Sequence, residues 1–262
     1  MKNTILSHLP GDFPWQVQWF DTIDSTNTQA KCMARKGAPH GTVLIAGHQS
    51  GGRGRMGRSF SSPAGVGLYL SVILRPGCSA QSLMHLTCAA GIAACDAVET
   101  SCGIRPGIKW INDLVLNNRK LGGILTEMSV DAKTGLVDFA VIGIGINCLQ
   151  NTEDFPPELQ EIAISLKAAG CAPDMGHLAA KLLCSLYEMS LHLQEQKIIM
   201  AAYRKDCITL GRQVVILREE AKQYGTALDV DSDGALLVLL ADGSTCTVNS
   251  GEVSVRGLYG YV

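Results

Sequence analysis

Three guanidinium groups and several glycines fall in one short stretch of the chain. Residues 51–58 have the sequence GGRGRMGR, which contains Arg53, Arg55 and Arg58. Glycine lets the backbone approach a ligand closely, and its N–H groups can converge on an anion, while arginine binds carboxylate or phosphate through a fixed fork of donors. The Gly-Lys-Ser/Thr ending of a P-loop is missing. The stretch predicts an anion-binding loop, with a solvated flexible loop or an RNA-binding arginine–glycine segment as alternatives.

Two lysines and an aspartate lie in a second segment, beside runs that are typical of strands. Residues 109–113 are KWIND, and residues 119–125 are RKLGGIL. Lys120 is followed at once by apolar residues, so it is either an edge-strand charge that deters aggregation or a cation held in a cleft. Asp113 is either a surface turn carboxylate or a group that binds Mg²⁺ or orients a lysine.

Two glycines interrupt the apolar run IGIGIN at 142–147. Glycine weakens a central strand and often marks the close approach of a ligand, although tight helix packing explains it equally well. Asn147, at the end of the run, is placed to hydrogen-bond such a ligand.

Hydrophobic periodicity predicts the elements that position these residues. Strands are expected at 15–20, 42–47, 67–74, 107–111, 114–117, 121–130 and 137–146. Helices are expected at 28–36, 80–99, 174–195 and 197–207, the first of them after the capping cluster Asp24–Asn27. The run at 137–146 is apolar on both faces, which is typical of a central strand covered on both sides.

The pattern changes near Gly211 to short β-rich runs. Asp233-Gly234 and Asp242-Gly243 punctuate them as hairpin turns. About 50 residues of this kind fit a small barrel. We therefore expect an α+β chain with a catalytic-size domain at 1–208 and a small β domain at 209–262.

Composition limits the classes of protein. The chain has 262 residues, of which 47% are hydrophobic and 18% charged, so a disordered chain is excluded. With 22 basic and 24 acidic residues there is no overall positive field for nucleic acid. We expect no membrane span and no signal peptide, and therefore a cytoplasmic protein whose ten scattered cysteines are reduced, with no structural zinc site.

The order and spacing of the segments resemble the biotin–protein ligase family, also called biotin–acetyl-CoA-carboxylase ligases. The shared residues span nearly the whole chain. They are Asp24–Asn27, Gln49, GGRGRMGRSF (51–60), KWINDLVLNNRKLGGIL (109–125), GIGIN (143–147) and SGEVSVRG (250–257). The resemblance implies a class II aminoacyl-tRNA-synthetase-like catalytic domain, a mixed sheet with packed helices, followed by an SH3-like β-barrel.

The family's activity would then be a two-step reaction. The biotin carboxylate attacks the α-phosphate of ATP, which gives biotinoyl-5′-AMP and pyrophosphate. The ε-amine of a lysine on a carrier protein then attacks the mixed anhydride and releases AMP. The resemblance implies ATP with Mg²⁺, biotin as substrate, and neither zinc nor iron.

The resemblance also assigns roles to residues. The biotin-binding set is Ser25, Thr26, Asn27, Gln49, Arg53, Gly54, Arg55 and Lys120. The nucleotide-binding set is Arg58, Phe60, Lys109, Asn112 and Asn147. The catalytic set is Lys120, Arg55, Lys109 and Asp113. In these sets Lys120 would polarise the biotin carboxylate, Arg55 would retain the adenylate, and Asp113 would position Mg²⁺ or the lysines.

The chain departs from the family pattern at two positions. Phe60 stands where the family usually has tryptophan, and the smaller ring still stacks on adenine. Ile111 stands where the family has proline, so the turn before Asn112 loses a fixed φ. Neither change removes a reactive group.

The resemblance also implies partners. Many relatives carry an N-terminal DNA-binding domain, but here the signature starts at Ser25, so we expect a ligase that is not a repressor and binds neither DNA nor membrane. The partner would be the biotin carboxyl carrier domain of a biotin-dependent carboxylase, bound by strand pairing at an open sheet edge. The same edge would allow two copies to form a homodimer.

Two other readings remain. A lipoate or octanoate ligase or transferase would share the fold and the single catalytic lysine, but it would differ in the arginine loop and the Ser-Thr-Asn pocket. A non-catalytic sensor of biotin or nucleotide would not require both Lys109 and Lys120. An RNA-binding protein that uses the arginine–glycine loop would lose affinity steeply as salt rises, whereas affinity for biotin should barely change.

Overall fold

A mixed seven-stranded sheet organises the first part of the chain. The computed structural model describes residues 1–218, 221–249 and 252–255. The strands are β1 (Gln16–Phe20), β2 (Thr42–Ala46), β3 (Gly67–Leu74), β4 (Gly107–Lys109), β5 (Asp113–Leu116), β6 (Arg119–Val130) and β7 (Val137–Asn147). Their order is β1-β2-β3-β7-β6-β5-β4, with β1 and β2 parallel and the other pairs antiparallel.

Helices cover both faces of this sheet. They are α1 (Lys2–His8), α2 (Thr26–Arg35), α3 (Leu86–Cys102), α4 (Met175–Leu191) and α5 (Gln196–Asp206). Helix α2 packs on β2, β3 and β7, and Phe139 and Val141 belong to its small core. The alternate residues Ile142 and Ile144 point into the main core with α3. The prediction that this strand is covered on both faces is confirmed.

A second, antiparallel sheet follows. It consists of β8 (Gln213–Arg218), β9 (Ala221–Val230), β10 (Leu236–Leu240), β11 (Thr245–Val248) and β12 (Glu252–Val255), in the order β11-β10-β9-β8-β12. The predicted hairpin turns contain Gly234 and Gly243, at φ values of 88° and 83°. The small C-terminal β domain is therefore confirmed. The boundary between 208 and 209 stays a prediction, and residues 250, 251 and 256–262 of the predicted domain lie outside the described residues.

The two sheets share one hydrophobic core. Val214 and Ile216 of β8 belong to the same buried cluster as the residues between the large sheet and α3. Trp110 joins the two parts directly, because its indole Nε1 donates to Gly234 O at 2.8 Å and its backbone N donates to Thr209 Oγ1 at 2.8 Å. The segment that follows β4 is therefore held by the C-terminal part of the chain.

The remaining expectations concern cysteines and membranes. All ten cysteines are free, and Cys88 and Cys95 lie buried on α3. None of the helices in the described part of the chain is long and apolar enough to cross a membrane.

A buried histidine makes the stability of this fold dependent on pH. The ring of His85 is 1% exposed, its Nε2 lies 3.0 Å from Leu193 O, and its Nδ1 has no partner within the described residues. Burial lowers the pKa of His85 below its ordinary 6.5, so the folded protein keeps the ring neutral while the unfolded chain protonates it. This contribution to stability is present above pH 6.5 and is lost as pH falls through the folded pKa.

We expect the free energy of unfolding to decrease between pH 7 and pH 5, and to decrease less in His85→Gln, which keeps a donor for Leu193 O. Urea unfolding of both proteins at the two pH values measures the difference. Burial also lowers the pKa of His40, so part of the slope persists in the variant. Equal slopes in the two proteins would contradict the assignment to His85.

Candidate active site

A cleft opens between the N-terminal end of α2, the loop that follows β2, and strands β4 to β7. Leu217 of β8 also lines it. Every predicted site residue except Asn147 contributes to the lining. These residues are Ser25, Thr26, Asn27, Gln49, Arg53, Gly54, Arg55, Arg58, Phe60, Lys109, Asn112, Asp113 and Lys120. The structure thus brings residues from four separate segments to one place.

One wall of the cleft is polar and uncharged. Ser25 caps α2, and its side chain accepts from Thr28 N. Thr26 donates to Gln49 Oε1 from its backbone N at 2.8 Å and from its hydroxyl at 3.1 Å. Gln49 Nε2 in turn donates to Ser62 Oγ at 2.8 Å. Since Ser25 and Thr26 are buried, this wall is held in a fixed geometry.

Asn27 completes this wall, where its side chain packs directly on the backbone of Gly143. A Cβ atom at Gly143 of β7 would overlap with Asn27 Oδ1 and Cγ. Asn27 Oδ1 accepts from Ser71 Oγ at 2.6 Å, and Asn27 Nδ2 donates to Leu125 O and Glu127 Oε2. Of the two readings of the glycines in the IGIGIN run, ligand approach or helix packing, the second holds at Gly143, because Asn27 of α2 packs there.

The arginine-rich segment is a structured loop. Gly54 N donates to Arg58 O at 2.8 Å, and Phe60 N donates to Gly52 O at 2.9 Å. At its tip Met56 has a φ of 56° and is 69% exposed. Arg55 points back into the cleft, where its Nη1 donates to Asn112 Oδ1 at 2.9 Å. The loop thereby aims a guanidinium group at the β4–β5 segment.

Lys120 and Asp113 form an ion pair across β5 and β6. Lys120 Nζ lies 2.7 Å from Asp113 Oδ1, and Asn112 Nδ2 lies 3.3 Å from the same oxygen. Lys109 is paired with Asp113 in the β4–β5 register. Burial lowers the pKa of Lys109, Asp113 opposes that shift, and the neighbouring charges of Lys120 and Arg58 add to it.

The net charge of the cleft is positive. Its lining contains the cations Arg53, Arg55, Arg58, Lys109 and Lys120, and Asp113 is the one carboxylate among the described lining residues. Partial burial strengthens the attraction of such a cluster for anions. In the described ranges no group of three His, Cys, Asp or Glu side chains is placed to bind a metal ion.

The ring of Phe60 lies on the backbone of Gly145. A Cβ atom at Gly145 would lie 2.5 Å from Phe60 Cε1, and the edge of Tyr69 faces Phe60 with ring centroids 6.4 Å apart. The exposed part of the ring faces the cleft. It is thus placed to stack on a planar ligand.

Asn147 lies outside this lining. Its side chain is buried at the end of β7, where Nδ2 donates to Ile164 O at 3.2 Å and lies 3.5 Å from Lys120 O. These contacts support the backbone of Lys120 from behind. The nucleotide-binding role of Asn147 stays a prediction.

Sequence reasoning missed several residues of the site. Ser71 and Glu127 contact the side chain of Asn27, and Leu217 reaches the cleft from the C-terminal sheet. Ser71 and Glu127 are polar residues inside runs predicted as strands, and that position was the only available signal. Leu217 carries no signal, because it is an apolar residue in an apolar strand. The peptide bond between Trp110 and Ile111, where the family has proline, is cis.

Comparison with known proteins identifies the family. Residues 19–147 match the biotin/lipoate A/B protein ligase family, and residues 209–256 match the biotin protein ligase C-terminal domain. The chain is 37% identical over 231 residues to the bifunctional ligase/repressor BirA of Bacillus subtilis, covering 86% of this chain and 70% of the relative. It is 35% identical over 237 residues to the biotin–[acetyl-CoA-carboxylase] ligase of Mycobacterium tuberculosis, covering 87% of this chain and 85% of the relative.

Solved structures agree with this match. The biotin protein ligase from Aquifex aeolicus, determined in complex with biotin and ATP, superposes with a TM-score of 0.77 at 28% identity, covering 92% of this chain and 98% of the other. The structure from Leishmania major in complex with biotinyl-5-AMP gives a TM-score of 0.59 at 22% identity, covering 90% of this chain and all of the other. The cleft, the identities and the fold agree, and the chain belongs to the biotin protein ligase family.

Proposed function

We propose that this protein activates biotin with ATP to biotinoyl-5′-AMP and transfers the biotinoyl group to a lysine of a carrier protein. One observation carries the proposal: a single cleft joins a neutral polar wall to a cluster of five cations. A neutral head group with a carboxylate tail, together with a nucleoside triphosphate, is complementary to both halves. Relatives named as biotin ligases support the same activity.

In the first step the biotin carboxylate attacks the α-phosphorus of ATP, and the bond from that phosphorus to the bridging oxygen of pyrophosphate breaks. Two anions must meet, so cations must offset their repulsion and the charge that develops on the phosphate. Lys120 contacts the carboxylate, and Lys109 and Arg58 contact the phosphates. The lowered pKa of Lys109 indicates a partly buried, poorly hydrated cation, whose attraction for phosphate is strong.

In the second step the carrier's lysine amine attacks the acyl carbonyl of the mixed anhydride. An amide bond forms, AMP leaves, and the amine loses a proton. Lys120 stabilises the developing charge on the acyl oxygen, and Asp113 holds Lys120 in position through their 2.7 Å ion pair. Phe60 and Asn112 serve the adenine side, and Arg53 and Gly54 serve the biotin side of the loop.

Mg²⁺ enters this proposal as the Mg·ATP complex. Asp113 is the one carboxylate among the described lining residues, and its Oδ1 already faces Lys120. Mg²⁺ in nucleotide sites is bound by one or two carboxylates together with substrate phosphates and water. Asp113 alone therefore suffices as the protein ligand when ATP supplies the remaining oxygens.

Arg55 is proposed to keep the adenylate in the cleft until the carrier arrives. Its guanidinium, fixed on Asn112, closes the arginine loop over the ligand. We expect Arg55→Gly to form biotinoyl-AMP and to release it about 10²-fold faster than the wild type. Stopped-flow or filter-binding measurement of the release rate checks this, with Arg119→Gly on β6 as a control outside the lining. Release at the wild-type rate would remove this role from the loop.

The carrier domain is proposed to dock at the free edge of β6. Strand β5 pairs with β6 only at Arg119–Gly123, so no strand in the described part of the chain covers Thr126–Val130 on the side away from β7. An extended segment of a partner can add there as a further strand. A relative named as a biotin–[acetyl-CoA-carboxylase] ligase supports a carboxylase carrier as that partner.

Introducing charged residues at this edge is expected to impair transfer to the carrier without affecting biotinoyl-AMP formation. Met128 and Val130 are 40% and 47% exposed. Met128→Glu/Val130→Glu would place two carboxylates where the carrier's strand packs, at the far end of β6 from Lys120. We expect biotinoyl-AMP formation to be unchanged and carrier biotinylation at limiting carrier to fall about tenfold. A mass-spectrometric assay of each step measures both, and an unchanged transfer rate would place the carrier elsewhere.

The same edge is also proposed to pair with a second copy, since an uncovered strand is a template for self-association. Sedimentation velocity of the wild type and of Met128→Glu/Val130→Glu tests this, because a dimer built on this edge dissociates in the variant.

The cytoplasm is the proposed location. Ten free cysteines suit a reducing compartment. Detection of the native protein by cell fractionation checks this.

Titration of biotin into the purified protein, with and without Mg·ATP, tests the proposed function. Mass spectrometry then identifies the bound small molecule. A mass for biotinoyl-AMP supports the proposal and establishes the first step. Absence of biotin binding, with binding of lipoate or octanoate under the same conditions, would overturn it in favour of a lipoyl-type ligase.

A further inference from the structure

A chain of hydrogen-bonded side chains runs behind the polar wall of the cleft and ends at an ion pair. Lys31 Nζ on α2 lies 2.5 Å from Glu127 Oε1 on β6. Glu127 Oε2 accepts from Asn27 Nδ2 at 3.0 Å. These two charged side chains are outside the cleft lining, and the reaction steps above make no use of them.

This arrangement fixes which way the Asn27 amide points. Its Nδ2 faces two groups that only accept hydrogen bonds, Glu127 Oε2 and the carbonyl oxygen of Leu125, the latter at 3.2 Å. An amide turned by 180° would place its oxygen against both of them. Asn27 Oδ1 must therefore face Ser71, whose hydroxyl lies 2.6 Å away.

The orientation of Asn27 determines the direction of the next bonds. The fully buried Ser71 directs its one proton toward Asn27 Oδ1 and toward Thr26 Oγ1, which lies 2.8 Å away. The Thr26 hydroxyl donates to Gln49 Oε1 at 3.1 Å, and the backbone N of Thr26 donates to the same oxygen at 2.8 Å, which by itself fixes the orientation of the Gln49 amide. Gln49 Nε2 donates one of its two hydrogens to Ser62 Oγ, which leaves the second hydrogen for the ligand.

We infer that Glu127, held by Lys31, is a positioning residue that sets the hydrogen-bond polarity of the biotin pocket. With the amide of Asn27 fixed, Asn27 and Thr26 offer acceptor oxygens to the ligand, beside the donor of Gln49 that the backbone N of Thr26 orients. Two N–H donors beside one carbonyl acceptor, as in a cyclic urea, match that pattern. The inference rests on the proposed function for the identity of the ligand and adds the source of its selectivity.

A carboxylate at position 127 restricts the orientation of the Asn27 amide more than an amide at that position would. Glu127 can only accept, so together with Leu125 O it permits one orientation of Asn27. A glutamine both donates and accepts, so it leaves Leu125 O as the one of these two groups that opposes the turned amide. Lys31 keeps the carboxylate in place. Its side chain and that of Glu127 are 20% and 30% exposed, so the pair is only partly screened by solvent.

The test compares biotin with two analogues in binding by calorimetry without ATP. In each analogue one of the two ring N–H groups is replaced by oxygen, so a donor becomes an acceptor while the ring keeps its size. We expect wild-type protein to reject at least one analogue strongly, because a buried acceptor then meets an acceptor. In Glu127→Gln we expect about tenfold weaker biotin binding and about tenfold less discrimination.

Controls separate positioning from stability. Asp138→Asn removes the 2.8 Å ion pair between Asp138 on β7 and Arg75, the residue that follows β3. Both residues lie outside the cleft lining, so binding should be unchanged. Lys31→Met leaves Glu127 hydrogen-bonded to Asn27, so it should lower biotin affinity and discrimination against the analogues by smaller factors than Glu127→Gln. It provides the test if Glu127→Gln does not fold. Adenylate formation at saturating biotin should keep its kcat while KM for biotin rises.

The outcomes are distinct. Wild-type protein that binds no biotin overturns the proposed function. Wild-type protein that binds biotin, with the wild-type discrimination ratio retained in both variants, overturns the inference alone. Equal weakening of biotin and the analogues, together with a lower Tm, would show that Glu127 only stabilises the fold, and would also overturn the inference.

Discussion

Replacing Lys120 with alanine is expected to lower the rate of biotinoyl-AMP formation about 10²–10³-fold while the protein remains folded. In the proposed reaction Lys120 brings a positive charge to the point where carboxylate and phosphate meet, and its Nζ lies 2.7 Å from Asp113 Oδ1. Without it, the repulsion between the two anions is no longer offset at the reacting atoms. Isotope exchange between pyrophosphate and ATP in the presence of biotin measures the first step directly.

The fold should tolerate this change because the Lys120 side chain is 35% exposed and lies in an open cleft rather than in the core. Thermal unfolding of the variant checks that. Lys167→Ala, which removes an exposed lysine outside the cleft lining, is the matched control and should exchange at the wild-type rate. An exchange rate within tenfold of wild type in Lys120→Ala would assign the chemistry to another cation, of which Lys109 is the nearest candidate.

Adding a single methyl group at Gly143 is expected to weaken biotin binding about 100-fold. In Gly143→Ala the new Cβ would overlap with the side-chain amide of Asn27. That amide cannot move aside without losing its bonds to Ser71, Leu125 and Glu127, so the polar wall shifts as a unit. Calorimetric titration with biotin gives the change in Kd.

Gly11→Ala is the control, because a Cβ at Gly11 meets no atom within 4 Å. It should bind biotin as the wild type does. Affinity for Mg·ATP in Gly143→Ala should change much less than affinity for biotin, since Arg58 and Lys109 lie in the other half of the cleft. Wild-type biotin affinity in Gly143→Ala would mean that Asn27 has a second position of equal energy.

The strands of the large sheet were predictable because apolar residues either alternate along them with period two or fill them continuously, as in fully buried strands. The run at 67–74 is strand β3 over its whole length. Helix ends were less predictable. Helix α2 begins at Thr26 because Ser25 is its cap, and the predicted helix at 80–99 begins only at Leu86, after a short 3-10 turn at Gln81–Leu83.

Helix α1 was missed for a physical reason. It has seven residues, and Ile5 is its one buried side chain. A segment this short has too weak a periodicity to identify, and it gains its stability by packing against α4. Its existence depends on a contact with residues far along the chain.

Some residues of the candidate site were predictable from the sequence and others were not. Charged groups close to glycines, such as Arg55 in its loop and Lys120 two residues before Gly122, were visible in the sequence because the residue types are unusual for a loop or a strand. Glu127 was not, because its importance comes from contact with Asn27, 100 positions away. The side-chain contacts between α2 and β6 form only in the folded protein, and a single sequence does not reveal them.

The hydrogen bond from the Trp110 indole to Gly234 has a consequence for how the chain matures during its synthesis. The nascent chain can pair all seven strands of the large sheet once residue 147 has left the ribosome, since that is where β7 ends. The loop between β4 and β5, which carries Asn112, still lacks its anchor at that stage. The indole anchor forms only once the turn at Gly234 has been synthesised, so the cleft is completed well after the large sheet can pair.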